Sequence, residues 1–390
     1  MNEVPVREDQ FDNFNPGPAA LPSDVITAVQ VALKGIEGGP GILELSHRSP
    51  AFDSIIQRAR AQITRLYQLP DTHEILFLQG GASLQFAMLG LNRGVRGGFI
   101  TTGEWSRRAL AEAKVLSEPL TEGPVELWSS EAEGFREVPQ SPIVLSAEES
   151  ELDYIHVTSN NTIYGTQYRS FPVVRRPSEA APAERCTADI PLIIDASSDI
   201  FSRPLDWSRV GLLYAGAQKN AGPSGVTLVI GRKDWLYADP VIEYCPKILR
   251  YRTHAEKSSL YHTPNTLGIF TVGEVAKWVT ERGGIEAMQS RSERRAHDLY
   301  QVIDAYPDVF RGHAATSARS QMNITFRGTS EEIEQTLLTK AQEAQMIGLK
   351  GHRSVGGLRA SLYNAVSDES ASRLVNLVDA VGRYYTSGRS

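Results

Sequence analysis

Leu213-Tyr214-Ala215-Gly216-Ala217-Gln218-Lys219-Asn220-Ala221-Gly222-Pro223-Ser224-Gly225 joins the apolar runs 211–215 (GLLYA) and 226–230 (VTLVI). A lysine stands here in a loop of small residues between two strand-like segments, where a flat group can approach closely and few side chains can solvate an ammonium. Further short apolar runs lie at 74–79, 98–102, 153–158 and 191–195. Several are too continuous for half-exposed strands, and helical or loop segments separate them, so a mainly parallel sheet between helices is expected, an α/β fold.

Around this sheet the periodicity is helical. Val25, Ile26, Val29 and Leu33 recur at helix spacing after Ser23, which reads as a cap, and Phe52, Ile55, Ile56, Ala59, Ile63 and Leu66 form a second stripe. After Pro264 come helices near 266–282 and 285–305, a strand at 321–326, a helix at 330–346, a strand at 357–363 and a helix at 367–385. A large domain over 16–265 and a smaller α/β domain over 266–390 follow, with residues 1–15 as an arm that packs on the smaller domain or moves. The Pro- and Ala-rich stretch 175–191 reads as a surface loop. A chain of 390 residues exceeds one core of about 150 residues, in keeping with two units.

Composition removes whole function classes. With 46 acidic and 40 basic residues the net charge is −6, which offers no global field for a phosphate backbone, so nucleic acid is not an expected partner. Cys186 and Cys245 are the two cysteines, too few for a disulfide scaffold or a cysteine-based zinc site; no metal is expected. No apolar stretch reaches the length of a membrane span and no leader pattern opens the chain, so the expected compartment is the cytoplasm.

The chemistry gathers at strand ends. Asp195 closes the run Leu192-Ile193-Ile194-Asp195, at the edge where α/β sheets bind ligands, although it could equally cap a helix. An amine for an aldehyde and an anion for a ring nitrogen are what a pyridoxal 5′-phosphate site requires. Gly80-Gly81-Ala82-Ser83 follows a strand and opens a helical pattern, so the amides of Ala82 and Ser83 would face an anion. Trp105 follows the next strand and could stack on a flat ring or belong to the core. Two basic clusters, Ser46-His47-Arg48 and Lys350-Gly351-His352-Arg353 with Arg359, suit a substrate with two anionic groups; the bland alternative is surface charge.

FNPGPAALP (14–22), ELSHRSPAF (44–52), QGGASLQF (79–86), SNNTIYGTQ (159–167), IIDASSDIFSRPLD (193–206), YAGAQKNAGPSG (214–225), YHTPNTLGIF (261–270) and GLKGHRSVGGLRASLYNA (348–365) together resemble the phosphoserine aminotransferase family. This is a class V group among the fold type I pyridoxal-phosphate enzymes. The resemblance implies that Lys219 forms the Schiff base and shuttles the proton. It makes Asp195 the partner of the pyridine nitrogen, Trp105 the ring stacker and Thr162 a bond to the phenolic oxygen. Ala82, Ser83 and Gln218 would hold the cofactor phosphate, with His262 and Thr263 reaching it from the other subunit of a homodimer. His47, Arg48, His352, Arg353 and Arg359 correspond to the substrate-binding residues, His47 and Arg353 acting across the interface. Two positions depart from the pattern: Asn15-Pro16 stands where members have Ser or Ala before Gly-Pro, and His262-Thr263-Pro264-Asn265 stands for Asn-Thr-Pro-Pro.

The implied reaction is ping-pong transamination between glutamate and 3-phosphohydroxypyruvate, giving phosphoserine for serine biosynthesis. A phosphorylated 4-hydroxythreonine of pyridoxine biosynthesis stays open as a second substrate. Rival readings are serine or alanine transamination to glyoxylate, cysteine desulfuration, a cofactor-binding module without catalysis, and a nucleotide-binding α/β protein, though GxxxxGK[ST] is missing.

Overall fold

The computed structural model describes residues 11–118, 122–146, 148–175 and 190–387. Residues 176–189 of the expected surface loop, Cys186 among them, and residues 1–10 of the expected arm lie outside the described residues. A short strand β1 (Asp12–Asn13) precedes helices α1 (Ser23–Lys34) and α2 (Pro50–Tyr67). Then follow β2 (His73–Leu78), α3 (Gly81–Arg93), β3 (Gly97–Thr101), α4 (Glu104–Ser117), β4 (Val125–Ser129), β5 (Tyr154–Thr158), β6 (Leu192–Asp195), β7 (Val210–Gly216) and β8 (Thr227–Arg232). The later elements are α5 (Thr266–Glu281), α6 (Gly284–Ala305), β9 (Phe310–Gly312), β10 (Asn323–Gly328), α7 (Glu331–Glu343), β11 (Met346–Ile347), β12 (Leu358–Ser361) and α8 (Asp368–Thr386). Ser23, read as a cap, is the first residue of α1, and Pro22 occupies the cap position without a side-chain bond.

Seven strands form the main sheet in the order β2-β8-β7-β6-β5-β3-β4. β8 runs antiparallel to both β2 and β7, and the other neighbours pair in parallel. The reason is local: residues 217–226 between β7 and β8 are too few for the crossover helix that a parallel pair needs. The apolar runs were legible because β7 and β6 are buried along their whole length, with alternate residues on opposite faces. Leu213 and Ala215 join the core with α2 and α5, whereas Leu212 and Tyr214 join Phe86 and Leu89 of α3 and Leu110 of α4. β4 was not anticipated, because this edge strand is only partly buried and carries no continuous apolar run.

The core does not divide at residue 265, where the periodic pattern placed the boundary. Helix α5 sends Ile269, Val272, Val275 and Val279 into the main core. Helix α6 spans both cores, with Ile285 and Met288 in the first and Ala296, Leu299 and Ile303 in the second. A helical period shows that a face is apolar and not which core it meets. The second core gathers around the antiparallel sheet β9-β10-β12. Phe14 is buried in it, and β1 pairs in parallel with β11, so the described part of the N-terminal arm packs there.

One core residue links the fold to pH. His156 on β5 is buried, its Nε2 2.8 Å from the Tyr214 hydroxyl, and burial pushes its pKa down to about 3. Below pH 6.5 the unfolded chain takes up a proton that the native state refuses, so stability falls as pH drops from about 6.5 toward 3. The slope is at most about 1.4 kcal/mol per pH unit. In urea titrations the stability gap between wild type and His156→Gln should therefore shrink as pH falls through this window. A gap independent of pH would contradict the assignment.

Candidate active site

The C-terminal ends of β2, β3, β5, β6 and β7 deliver the singled-out residues to one edge of the sheet, the edge at which α/β sheets bind ligands. Register makes Asp195 of β6 the neighbour of Tyr214 of β7, and the chain then turns through Lys219. No helix follows Asp195. Its Oδ1 instead accepts the Ser197 backbone N–H (3.0 Å) and hydroxyl (2.6 Å), an Asx turn, while Oδ2 has no protein donor among the described residues. The Ser197 hydroxyl oxygen in turn accepts the Gly216 N–H at 3.0 Å, tying the two strand ends together.

Lys219 forms no hydrogen bond or ion pair among the described residues. Its Nζ lies 5.4 Å from the centroid of the Trp105 ring. Burial lowers its pKa, with Asp195 opposing the shift and Arg359 adding to it. Asp195 is pushed up by burial, against the pull of Lys219 and the Ser197 bonds. Each partner thus favours the other's charged form, while desolvation, the largest cause for both, works against the charge of each. Gly17 sits at φ 137°, and a Cβ there would stand 3.1 Å from Lys219 Cγ, so the N-terminal motif closes directly on the lysine.

Trp105, in the first turn of α4, donates from Nε1 to Thr162 Oγ1 at 3.1 Å. Thr162 keeps its hydroxyl proton for another acceptor. Arg359 on β12 donates from Nη1 to the Thr162 carbonyl at 3.0 Å, and its Nε is buried without an acceptor. Buried polar contacts hold the small sheet against these loops: Asn160 Nδ2 donates to Asn323 Oδ1 (2.7 Å), and Thr325 Oγ1 donates to the Ile163 carbonyl (3.2 Å).

Helix α3 starts where sequence placed it. Gly80 adopts φ 92° at its cap, and the first N–H with a backbone acceptor inside this helix is that of Leu84, so the amides of Ala82 and Ser83 remain open toward the site edge. The Gln218 carbonyl accepts the Ala19 N–H at 2.9 Å. Thr263 is exposed, its carbonyl 3.4 Å from Gln79 Nε2 and 3.0 Å from His262 Nδ1.

The two basic clusters behave differently within one chain. His352 senses Arg359, Arg353, Glu104 and Arg108 electrostatically, and burial with those arginines lowers its pKa. Its Nδ1 lies 2.7 Å from the Ser354 hydroxyl and 3.3 Å from the Ser354 backbone N–H, so the turn holds the ring in place. His47 is buried and Arg48 exposed ahead of α2, and no hydrogen bond or ion pair among the described residues joins them to Lys219, Trp105 or Arg359. Sequence reading missed Ser197 and the pair Glu104–Arg108. Both had a local signal: an aspartate two residues before a serine, and opposite charges four apart on a helix.

An unpartnered carboxylate oxygen, an unpaired amine beside an indole face and open helix amides together fit a flat cofactor with a ring nitrogen, an aldehyde and a phosphate. Residues 12–374 match the family model "Aminotransferase class-V", and the chain belongs to this family of pyridoxal-phosphate enzymes. Within it, the chain is 44% identical to the phosphoserine aminotransferase of Lysinibacillus sphaericus, over 93% of this chain and 95% of the relative. The solved phosphoserine aminotransferase of Bacillus circulans subsp. alkalophilus superposes with a TM-score of 0.88 at 41% identity, covering 97% of this chain and 100% of that one. The phosphoserine aminotransferase of Trichomonas vaginalis, solved with pyridoxal phosphate bound, gives 0.80 at 31% identity over 95% and 99%. Among the described residues no helix is long and apolar enough to cross a membrane.

Proposed function

We infer that this protein is a pyridoxal-phosphate-dependent aminotransferase that converts 3-phosphohydroxypyruvate and glutamate to O-phospho-L-serine and 2-oxoglutarate, in serine biosynthesis. The observation that carries this reading is the convergence at one sheet edge of Asp195, at the end of a strand paired with the one that leads into Lys219, of the Lys219 amine 5.4 Å from the Trp105 ring, and of Arg359, whose buried Nε has no acceptor among the described residues.

Pyridoxal phosphate supplies, when bound, the electron sink that lets the Cα–H bond of an amino acid break. Asp195 would hold the ring nitrogen through Oδ2, Trp105 would cover the ring face and Thr162 would donate to the phenolic oxygen. The amides of Ala82 and Ser83 with Gln218 would hold the phosphate, and His262 and Thr263 of a second copy would complete that cradle. Lys219, whose charged form burial disfavours, would take the Cα proton and return it, which makes it the acid–base group. Arg359, with no acceptor at Nε, suits the substrate carboxylate, and His352 and Arg353 suit the phosphate.

A homodimer in the cytoplasm is part of the same reading. Its support is the set of exposed apolar side chains Leu43 (67%), Tyr244 (65%) and Val241 (58%). Spectral titration of the holoenzyme with phosphoserine, serine and alanine tests the substrate. Two charge-assisted contacts at about 1.5–3 kcal/mol each predict at least a roughly hundredfold preference for phosphoserine. Equal half-saturation for serine or alanine would overturn the phosphate reading and favour transamination of an unphosphorylated amino acid.

A further inference from the structure

The first turns of α4 carry a charge arrangement that the assigned roles leave unused. Glu104 Oε1 accepts from Arg108 Nε at 2.8 Å, and its Oε2 accepts from Arg107. Arg107 is shared with Glu131 at 3.3 Å, whereas the described ion pairs give Arg108 only Glu104. The Glu104 side chain is 18% exposed and that of Arg108 56%, so the carboxylate is the shielded half of a clasp whose guanidinium meets water. The Arg108 guanidinium carbon lies 5.1 Å from the centroid of the Trp105 ring, the same ring that Lys219 approaches. Glu104 and Arg108 also act electrostatically on His352, after the larger effects of burial, Arg359 and Arg353.

We propose that Arg108 is a positioning residue for substrate selection: pinned by Glu104 against Trp105, it sets a positive charge beside the ring that Lys219 approaches and favours a phosphate dianion over a carboxylate. The proposal rests on the reading that this site takes a phosphorylated substrate. Its physical basis is charge. A phosphate carries about −1.5 to −2 near neutral pH and a glutamate side chain carries one negative charge, so a fixed cation at this wall acts more strongly on the former.

The test uses holoenzyme carrying Arg108→Gln or Arg108→Lys, with phosphoserine and glutamate half-reactions measured separately. Arg108→Gln should raise KM for phosphoserine about three- to fivefold, with kcat changed by less than about twofold and KM for glutamate by less than about twofold. Arg108→Lys should restore most of the loss, and the phosphoserine effect should shrink at about 0.5 M salt. Equal losses for both amino donors would make Arg108 a support for Trp105 alone and overturn the proposal, as would an unchanged KM for phosphoserine. Wild type run with phosphoserine and serine in parallel separates the two levels. If wild type shows no preference, the substrate reading fails and this proposal with it; if the preference holds while Arg108→Gln is silent, only the role of Arg108 falls.

Discussion

Replacing Lys219 with alanine should remove the yellow colour of the lysine-linked cofactor and lower turnover at least about 10⁴-fold, with the fold intact. Two effects combine in that number: the amine that anchors the cofactor is lost, and so is the group that carries the proton, a role worth about 10²–10⁴-fold by itself. The fold should survive because Lys219 has no hydrogen bond or ion pair among the described residues and burial works against its charge. Thermal unfolding of the cofactor-free forms checks the second half. A Lys219→Ala enzyme with near-normal turnover would sink the assignment, and a variant that unfolds would show that the lysine serves packing.

Replacing Asp195 with asparagine should cost about 10²–10³-fold in turnover and leave the cofactor-free protein as stable as wild type or more so. Asparagine keeps an acceptor for the Ser197 N–H and hydroxyl, so the turn that Oδ1 organises persists. What disappears is a negative charge that burial disfavours, as its raised pKa shows. In the proposed reading the cost of burying this charge serves a ligand at Oδ2, which has no protein donor among the described residues. Denaturant midpoints and single-turnover rates on the same preparation separate the two effects. Lower stability with unchanged turnover would reverse the interpretation.

The positions of Lys219 and Asp195 were legible because each lies where a buried apolar run ends or has just ended, and such runs are hard to mistake when neither face of the sheet meets water. The helix at Gly81 was legible for a similar reason, since a glycine pair between strand and helix marks a turn. Arg359 had the right charge but no visible orientation. Its place beside Thr162 depends on a contact between β12 and the loop after β5, residues 197 positions apart. Helix α5 shows the opposite limit: its apolar stripe was plain, but the stripe fits either core until Ala59 of α2 is seen to pack against Gly273.

By itself the sequence determined which segments become strands and helices, and which chemical groups stand at their ends, because period, capping and turn residues act over a few neighbours. Tertiary structure decided which ends meet. The pairing of β6 with β7 made Asp195 and Lys219 neighbours, and the Asn160–Asn323 contact seated the second sheet against the site loops. Those pairings depend on sheet order and on buried polar groups finding partners across the fold, and such partners are chosen by packing in three dimensions.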